Sequence, residues 1–148
     1  MTTIAPLTRD DRPAWLALWD GYLAFYESTL DDGTTAATFD RLVDPDSGIH
    51  GALAKDSDGT PIGLVHWLTH PATWAKSDYC YLEDLFVVRG ARGAGAGRAL
   101  IAHVRRWAEA NGSAKVYWLT AETNGTARAL YDRVATRSGM IQYQIPLG

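Results

Sequence analysis

Glycines crowd one short stretch of the chain. Arg92-Gly93-Ala94-Gly95-Ala96-Gly97-Arg98 alternates glycine with alanine between two arginines. An apolar helical repeat begins just after it, at Leu100-Ile101. A turn with so little side-chain bulk exposes the backbone N–H groups at a helix start, where the helix dipole is positive. That is chemistry for a phosphate or diphosphate. Just upstream, Glu83 and Asp84 sit side by side in an otherwise apolar run from Tyr79 to Val88. Neighbours on a strand point to opposite faces, so these two carboxylates are not expected to share a surface unless a bulge intervenes. Cys80 has no basic partner in sequence, and a catalytic cysteine needs an activated thiolate. His50, His66, His70 and His103 show no metal-ligand spacing. They read as structural or surface residues, and no metal is expected.

Three kinds of phosphate loop compete for the glycine turn. A P-loop ends in Gly-Lys-Ser/Thr, but here Arg98-Ala99 follows Gly97. A dinucleotide loop needs the spacing GxGxxG and an acid near the end of the next strand, which Glu122 can supply. The glycines at 93, 95 and 97 depart from that spacing, and Glu83-Asp84 would be costly in a strand buried on both faces. This reading stays open as an alternative and implies preference for NAD(H). The third form is Arg-x-x-Gly-x-Gly, which Arg92 to Gly97 fits.

The elements that must position these residues follow from periodicity. TTIAPLT (residues 2–8) reads as a short strand. Asp10 is expected to cap a helix running to about Glu27, with Trp15, Leu18, Trp19, Tyr22 and Tyr26 at helical spacing. Its aromatic stripe reads as a core face, or at its end, Tyr26-Glu27, as one wall of a cleft. A second helix is expected over Thr35–Val43. Strands follow over 49–54 and 62–69, joined by the turn Asp56-Ser57-Asp58-Gly59, and then over 79–88. Leu100, Ile101, Val104, Trp107 and Ala108 form one helical stripe, closed by Asn111-Gly112. Val116–Thr120 reads as a strand and Asn124 to about Ala135 as a last helix. Met140–Ile145 reads as a closing strand. The order β-α-α-β-β-β-α-β-α-β implies an α/β fold with a mixed sheet and helices on both faces, in one domain over residues 1–148.

Composition sets outer bounds. The chain has 148 residues, 47% hydrophobic and 21% charged, the range of an ordinary globular protein. A net charge of −3 argues against a nucleic-acid partner. The N-terminus has no signal-peptide pattern, and no apolar run is long enough to span a bilayer. With a single cysteine as well, a cytoplasmic setting is expected, with no membrane partner.

Taken together, the Arg-x-x-Gly-x-Gly turn, the strand LEDLFV (residues 82–87) and the helix NGTARALY (residues 124–131) resemble the GNAT superfamily of N-acetyltransferases. The resemblance covers nearly the whole chain. Within the superfamily it is similar to the small polyamine, histone and amino-acid acetyltransferases. It implies a mostly antiparallel sheet and acetyl-CoA as co-substrate. The backbone of Leu85, Phe86 and Val87 would pair with the pantetheine arm. Gly93, Ala94, Gly95, Ala96 and Gly97, with Arg92 and Arg98, would hold the diphosphate. Asn124 and Ala127 would be further cofactor contacts, although Asn124 also suits a helix cap. Tyr131 would be the general acid, although it also fits an apolar stripe. Glu83 would anchor the amine and act as base, with Asp84 second, and Tyr26 and Glu27 would contact the substrate. Glu27, Glu83 and Glu122 together would make an acidic cleft for a small cationic amine such as a polyamine. Protein lysine and amino-acid acceptors stay open, as does a non-catalytic acyl-CoA-binding module. Similar enzymes are often homodimers sharing C-terminal strands, which makes a homodimer the expected assembly.

Overall fold

β1 (Thr3–Pro6), α1 (Arg12–Phe25), α2 (Asp32–Val43), β2 (Ile49–Lys55), β3 (Pro61–His70), β4 (Tyr79–Val87), α3 (Ala96–Ala110), β5 (Val116–Tyr117) and α4 (Gly125–Val134) follow one another along the chain. They are seen in a computed structural model that describes residues 1–92 and 95–148. The strands form one sheet in the order β1-β2-β3-β4-β5, antiparallel throughout except for the parallel β4–β5 pair. A tight turn joins β2 to β3. There Asp56 Oδ1 accepts the N–H groups of Asp58 and Thr60 at 2.9 and 3.0 Å, and Gly59 takes a φ of +80° that a side chain would strain.

Each face of the sheet has its own core. On one face Trp15, Leu18 and Trp19 of α1 and Phe39 and Leu42 of α2 pack on Leu53 and Leu64. On the other, Leu100, Ile101 and Val104 of α3 pack on Ala52, Ala54, Val65 and Leu82. The α1 stripe therefore serves two ends. Trp15 and Trp19 stack at 5.4 Å in the core, while Tyr22 and Tyr26 meet edge-on at 5.1 Å with Tyr26 46% exposed.

Several boundaries differ from the sequence expectation. α1 starts at Arg12 because a 3-10 turn over Arg9–Asp11 comes first, where the Thr8 N–H donates to Asp11 Oδ2 at 2.8 Å. α2 starts at Asp32 because the Asp31 carboxylate caps the Thr34 N–H at 2.6 Å. β5 is only Val116–Tyr117, shorter than the expected 116–120. The closing strand expected over 140–145 does not form, and residues 135–148 contain no helix or strand. Ile141, Tyr143, Ile145 and Leu147 alternate there but are 77%, 87%, 86% and 92% exposed. Alternation makes a strand only where a neighbour offers hydrogen bonds and a face to cover, and β5 is two residues long. No helix among the described residues is long and apolar enough to cross a membrane.

Candidate active site

β4 and β5 pair only at Cys80–Val116 and Tyr81–Tyr117, and then part. Beyond Tyr81, β4 pairs with no strand but β3 among the described residues, so its other edge offers free backbone groups apart from the Val87 carbonyl, which Arg92 takes. The gap opens into a cleft of about 490 Å³ between β4, the start of α3 and one side of α4. Leu85, Phe86 and Val87 form its floor. Arg92, Gly95, Ala96, Gly97 and Arg98 line one end, and Asn124, Ala127 and Tyr131 line the α4 side. Gly93 and Ala94, expected in the diphosphate loop, lie outside the described residues.

The α3 end of the cleft suits a diphosphate. Gly95 caps the helix with a φ of +83°, and a Cβ built there would meet nothing within 4 Å. The first helical bond runs from the Ala99 N–H to the Gly95 carbonyl at 3.0 Å. The amides of residues 96–98 therefore precede the helix's own bonding and sit at its positive end. Gly97 lets α4 approach, since a Cβ there would lie 3.1 Å from Leu130 Cδ2. Arg92 is braced by a bond from its Nε to the Val87 carbonyl at 3.2 Å, and its guanidinium lies 5.4 Å from the centre of the Phe25 ring.

On α4, Asn124 is the N-cap, its Oδ1 accepting from the Ala127 N–H at 3.4 Å. This cap starts the helix. Tyr131 packs edge-on against Trp118 at 5.4 Å. Burial, with Tyr26 nearby, pushes its hydroxyl up to about 12. A phenol in that state carries its proton throughout the physiological range.

Opposite them, the two acids do share a surface. Trp67 of β3 pairs with Leu82 and His66 with Asp84, leaving Glu83 unpaired in a β-bulge. The bulge shifts the alternation by one. Cys80, Leu82, Leu85 and Val87 all face the α3 core, while Phe86 faces the α1 core. Glu83 and Asp84 are thereby both turned toward α1, the exception that a bulge makes to opposite faces. Tyr22 donates to Asp84 Oδ1 at 2.6 Å, and His66 Nδ1 lies 2.9 Å from Asp84 Oδ2. Partial burial and the Asp84 charge raise the Glu83 carboxyl, against smaller opposing effects of His66 and Arg41. Tyr22 and Tyr26 line the cleft, and both hydroxyls are raised by burial and by Asp84. Neither carboxylate lines the cleft itself, and Asp84 is linked to its wall by the bond from Tyr22.

The wider acidic cleft does not form. Glu27 and Glu122 are both exposed and outside the cleft lining. Glu27 ends α1 in a left-handed turn with φ 52°. Cys80 is fully buried and its thiol is pushed up to about 11, which leaves it inert. His66, read from sequence as structural or surface, is 4% exposed and bonded to Asp84. Its one sequence signal was a titratable residue inside the apolar run Leu64-Val65-His66-Trp67-Leu68.

Known proteins match this arrangement. The profile of the acetyltransferase (GNAT) family matches residues 15–135. The D-amino-acid N-acetyltransferase HPA3 of Saccharomyces cerevisiae is 36% identical over 135 residues, 90% of this chain and 84% of the yeast protein. Ribosomal-protein-alanine N-acetyltransferase from Brucella melitensis biovar Abortus 2308 superposes with a TM-score of 0.83 at 21% identity, covering 99% of this chain and 100% of that one. AAC(6')-Iy, solved in complex with the bisubstrate analog CoA-S-monomethyl-acetylneamine, superposes with a TM-score of 0.85 at 18% identity over 100% of this chain and 99% of that one. The two structural likenesses show the fold, and the family match displaces the dinucleotide alternative. The chain belongs to the acetyltransferase (GNAT) family of acetyl-CoA-dependent N-acetyltransferases.

Proposed function

We propose that the acceptor is a primary amine on a small molecule, entering as a cation and attacking directly while both substrates occupy the cleft. One observation carries this reading: the opened edge of β4 lines one cleft with the α3 N-terminus and Tyr131, and the same strand carries the Glu83–Asp84 bulge just upstream. Acetyl-CoA supplies an activated acetyl thioester and leaves as a thiol. The free edge of Leu85–Val87 holds the extended arm as an added strand. One of its N–H groups faces the carbonyl oxygen as an oxyanion donor. The amides at residues 95–98, with Arg92 and Arg98, hold the diphosphate, and Asn124 and Ala127 flank the arm. Tyr131 donates to the departing sulfur. Glu83 takes the proton that the ammonium must lose before attack, a task its raised carboxyl suits. Asp84 holds the cation beside it, and Tyr26 contacts the rest of the substrate.

The adjacent carboxylates of Glu83 and Asp84 suit a cationic polyamine. The name of the yeast relative supports a second reading, the α-amine of an amino acid. The test is a panel of polyamines, D- and L-amino acids and aminoglycosides, read by release of free CoA thiol. Release with polyamines supports the first reading and release with amino acids alone supports the second. No release with any of them, while CoA still binds, contradicts both.

The assembly we propose is a homodimer in which the segment around residues 140–147 adds a strand to a second copy. The exposed alternation of Ile141, Tyr143, Ile145 and Leu147 supports it. A cytoplasmic location belongs to the same proposal and rests on the lone buried thiol of Cys80.

A further inference from the structure

A buried chain of hydrogen bonds stands behind the carboxylate pair. Trp15 Nε1 lies 3.0 Å from His66 Nε2, His66 Nδ1 lies 2.9 Å from Asp84 Oδ2, and the Tyr22 hydroxyl lies 2.6 Å from Asp84 Oδ1. Trp15 and His66 are 1% and 4% exposed. The direction of this chain is fixed at its inner end. An indole N–H can only donate, so His66 Nε2 must be its acceptor and carries no proton. The ring's one proton then sits on Nδ1 and points at Asp84. His66 is held as a neutral donor.

We propose that Trp15 and His66 are positioning residues for the acceptor amine, locking Asp84 in place while leaving its negative charge unneutralised. The inference rests on the reading above, in which Glu83 and Asp84 receive a cation. A protonated His66 would pair with Asp84 and cancel the charge that draws the ammonium in. The Trp15 N–H prevents this, because a second ring proton would face it donor to donor. Both Asp84 oxygens are engaged by fixed donors, so the carboxylate cannot rotate away. Glu83, in the bulge, has no such donor among the described residues and stays free for the proton. The titratable and charged groups around the pair are Tyr22 and Tyr26 on α1, His66 on β3, Tyr81 on β4 and Arg41 on α2. Of these, only the imidazole ordinarily changes charge between about pH 6 and 8.

The test has three arms on the full chain. In the wild type, nitrogen NMR of His66 is expected to show a protonated Nδ1 and a bare Nε2 from about pH 6 to 8. A protonated Nε2 at neutral pH overturns the proposal, whether or not any variant folds. In Trp15→Phe, which keeps a ring beside Trp19 and Phe39, His66 is free to take a second proton. The amine KM is then expected to rise about ten-fold at about pH 6 and to approach the wild-type value at about pH 9, with the acetyl-CoA KM unchanged. An amine KM that follows the wild type at every pH overturns the proposal. Asp84→Asn separates the two levels. If it leaves the amine KM unchanged, the carboxylate reading itself fails. If it raises the KM while Trp15→Phe does not, the lock alone fails.

Discussion

Replacing Tyr131 with phenylalanine removes one hydroxyl and little else. The ring's packing on Trp118, 5.4 Å between centres, is retained. The hydroxyl it removes is held at about 12 by burial and by Tyr26. A free thiol titrates near about 8.5, so the phenol is the weaker acid by roughly 3.5 units, or about 5 kcal/mol for complete transfer. In the proposed mechanism Tyr131 therefore serves as a hydrogen-bond donor to the sulfur, with proton transfer lagging behind bond breaking. This places the effect of Tyr131→Phe at the low end of general-acid contributions, about 100-fold in kcat, or about 2.7 kcal/mol. The acetyl-CoA KM is expected to stay within about two-fold, because no packing is lost. Release of CoA thiol under saturating substrates measures both. The same reasoning predicts no alkaline fall in kcat from Tyr131 below about pH 10. A variant within about three-fold of wild-type kcat, at a pH where chemistry limits the rate, refutes the assignment of the acid.

Glu83→Gln tests the base through the pH profile of kcat/KM for the amine. The Glu83 carboxyl is raised, so the wild-type acid limb is expected to end above the usual glutamate value and to give way to a plateau. The variant is slower and keeps rising to the amine's own pKa, near about 10; an unchanged profile removes Glu83 from the role. For stability the sign is opposite: the folded state holds this proton more tightly, so stability falls as pH rises from the unfolded value through the folded one, and Glu83→Gln flattens that fall in pH-dependent urea melts. Gly63→Ala would bring a Cβ to 2.8 Å from the Phe86 carbonyl oxygen, part of the β4 backbone. A loss of more than about 2 kcal/mol in urea unfolding is expected, and a neutral result contradicts the close approach of β3 and β4. Ile141→Asp with Ile145→Asp is expected to give a monomer by sedimentation with the fold intact; an unchanged dimer means that the tail is not the interface.

The chemistry-bearing residues were legible where their signal was local. A glycine run before an apolar stripe marks a helix start whatever surrounds it, and Gly95, Ala96, Gly97 and Arg98 do begin α3 at the cleft. The aromatic stripe of α1 was legible too, including its second use at Tyr26. What escaped depends on partners distant in sequence. The bulge at Glu83 is a property of the β3–β4 register, and nothing in the LEDLFV strand alone announces it. His66 finds its hydrogen-bond partners in Trp15 and Asp84, 51 and 18 residues away. The tail showed the converse error, because Ile141, Tyr143 and Ile145 carry strand periodicity but pair with no strand among the described residues. Periodicity reports which face is apolar, and the covering surface has to come from elsewhere.

A crystal of the protein grown with coenzyme A tests the central claim most directly. The account predicts the diphosphate on the amides of Gly97 and Arg98, with the pantetheine arm laid along Leu85–Val87 and its sulfur within hydrogen-bond reach of the Tyr131 hydroxyl. Coenzyme A bound with its diphosphate away from the start of α3, or with its arm off the open edge of β4, would contradict it.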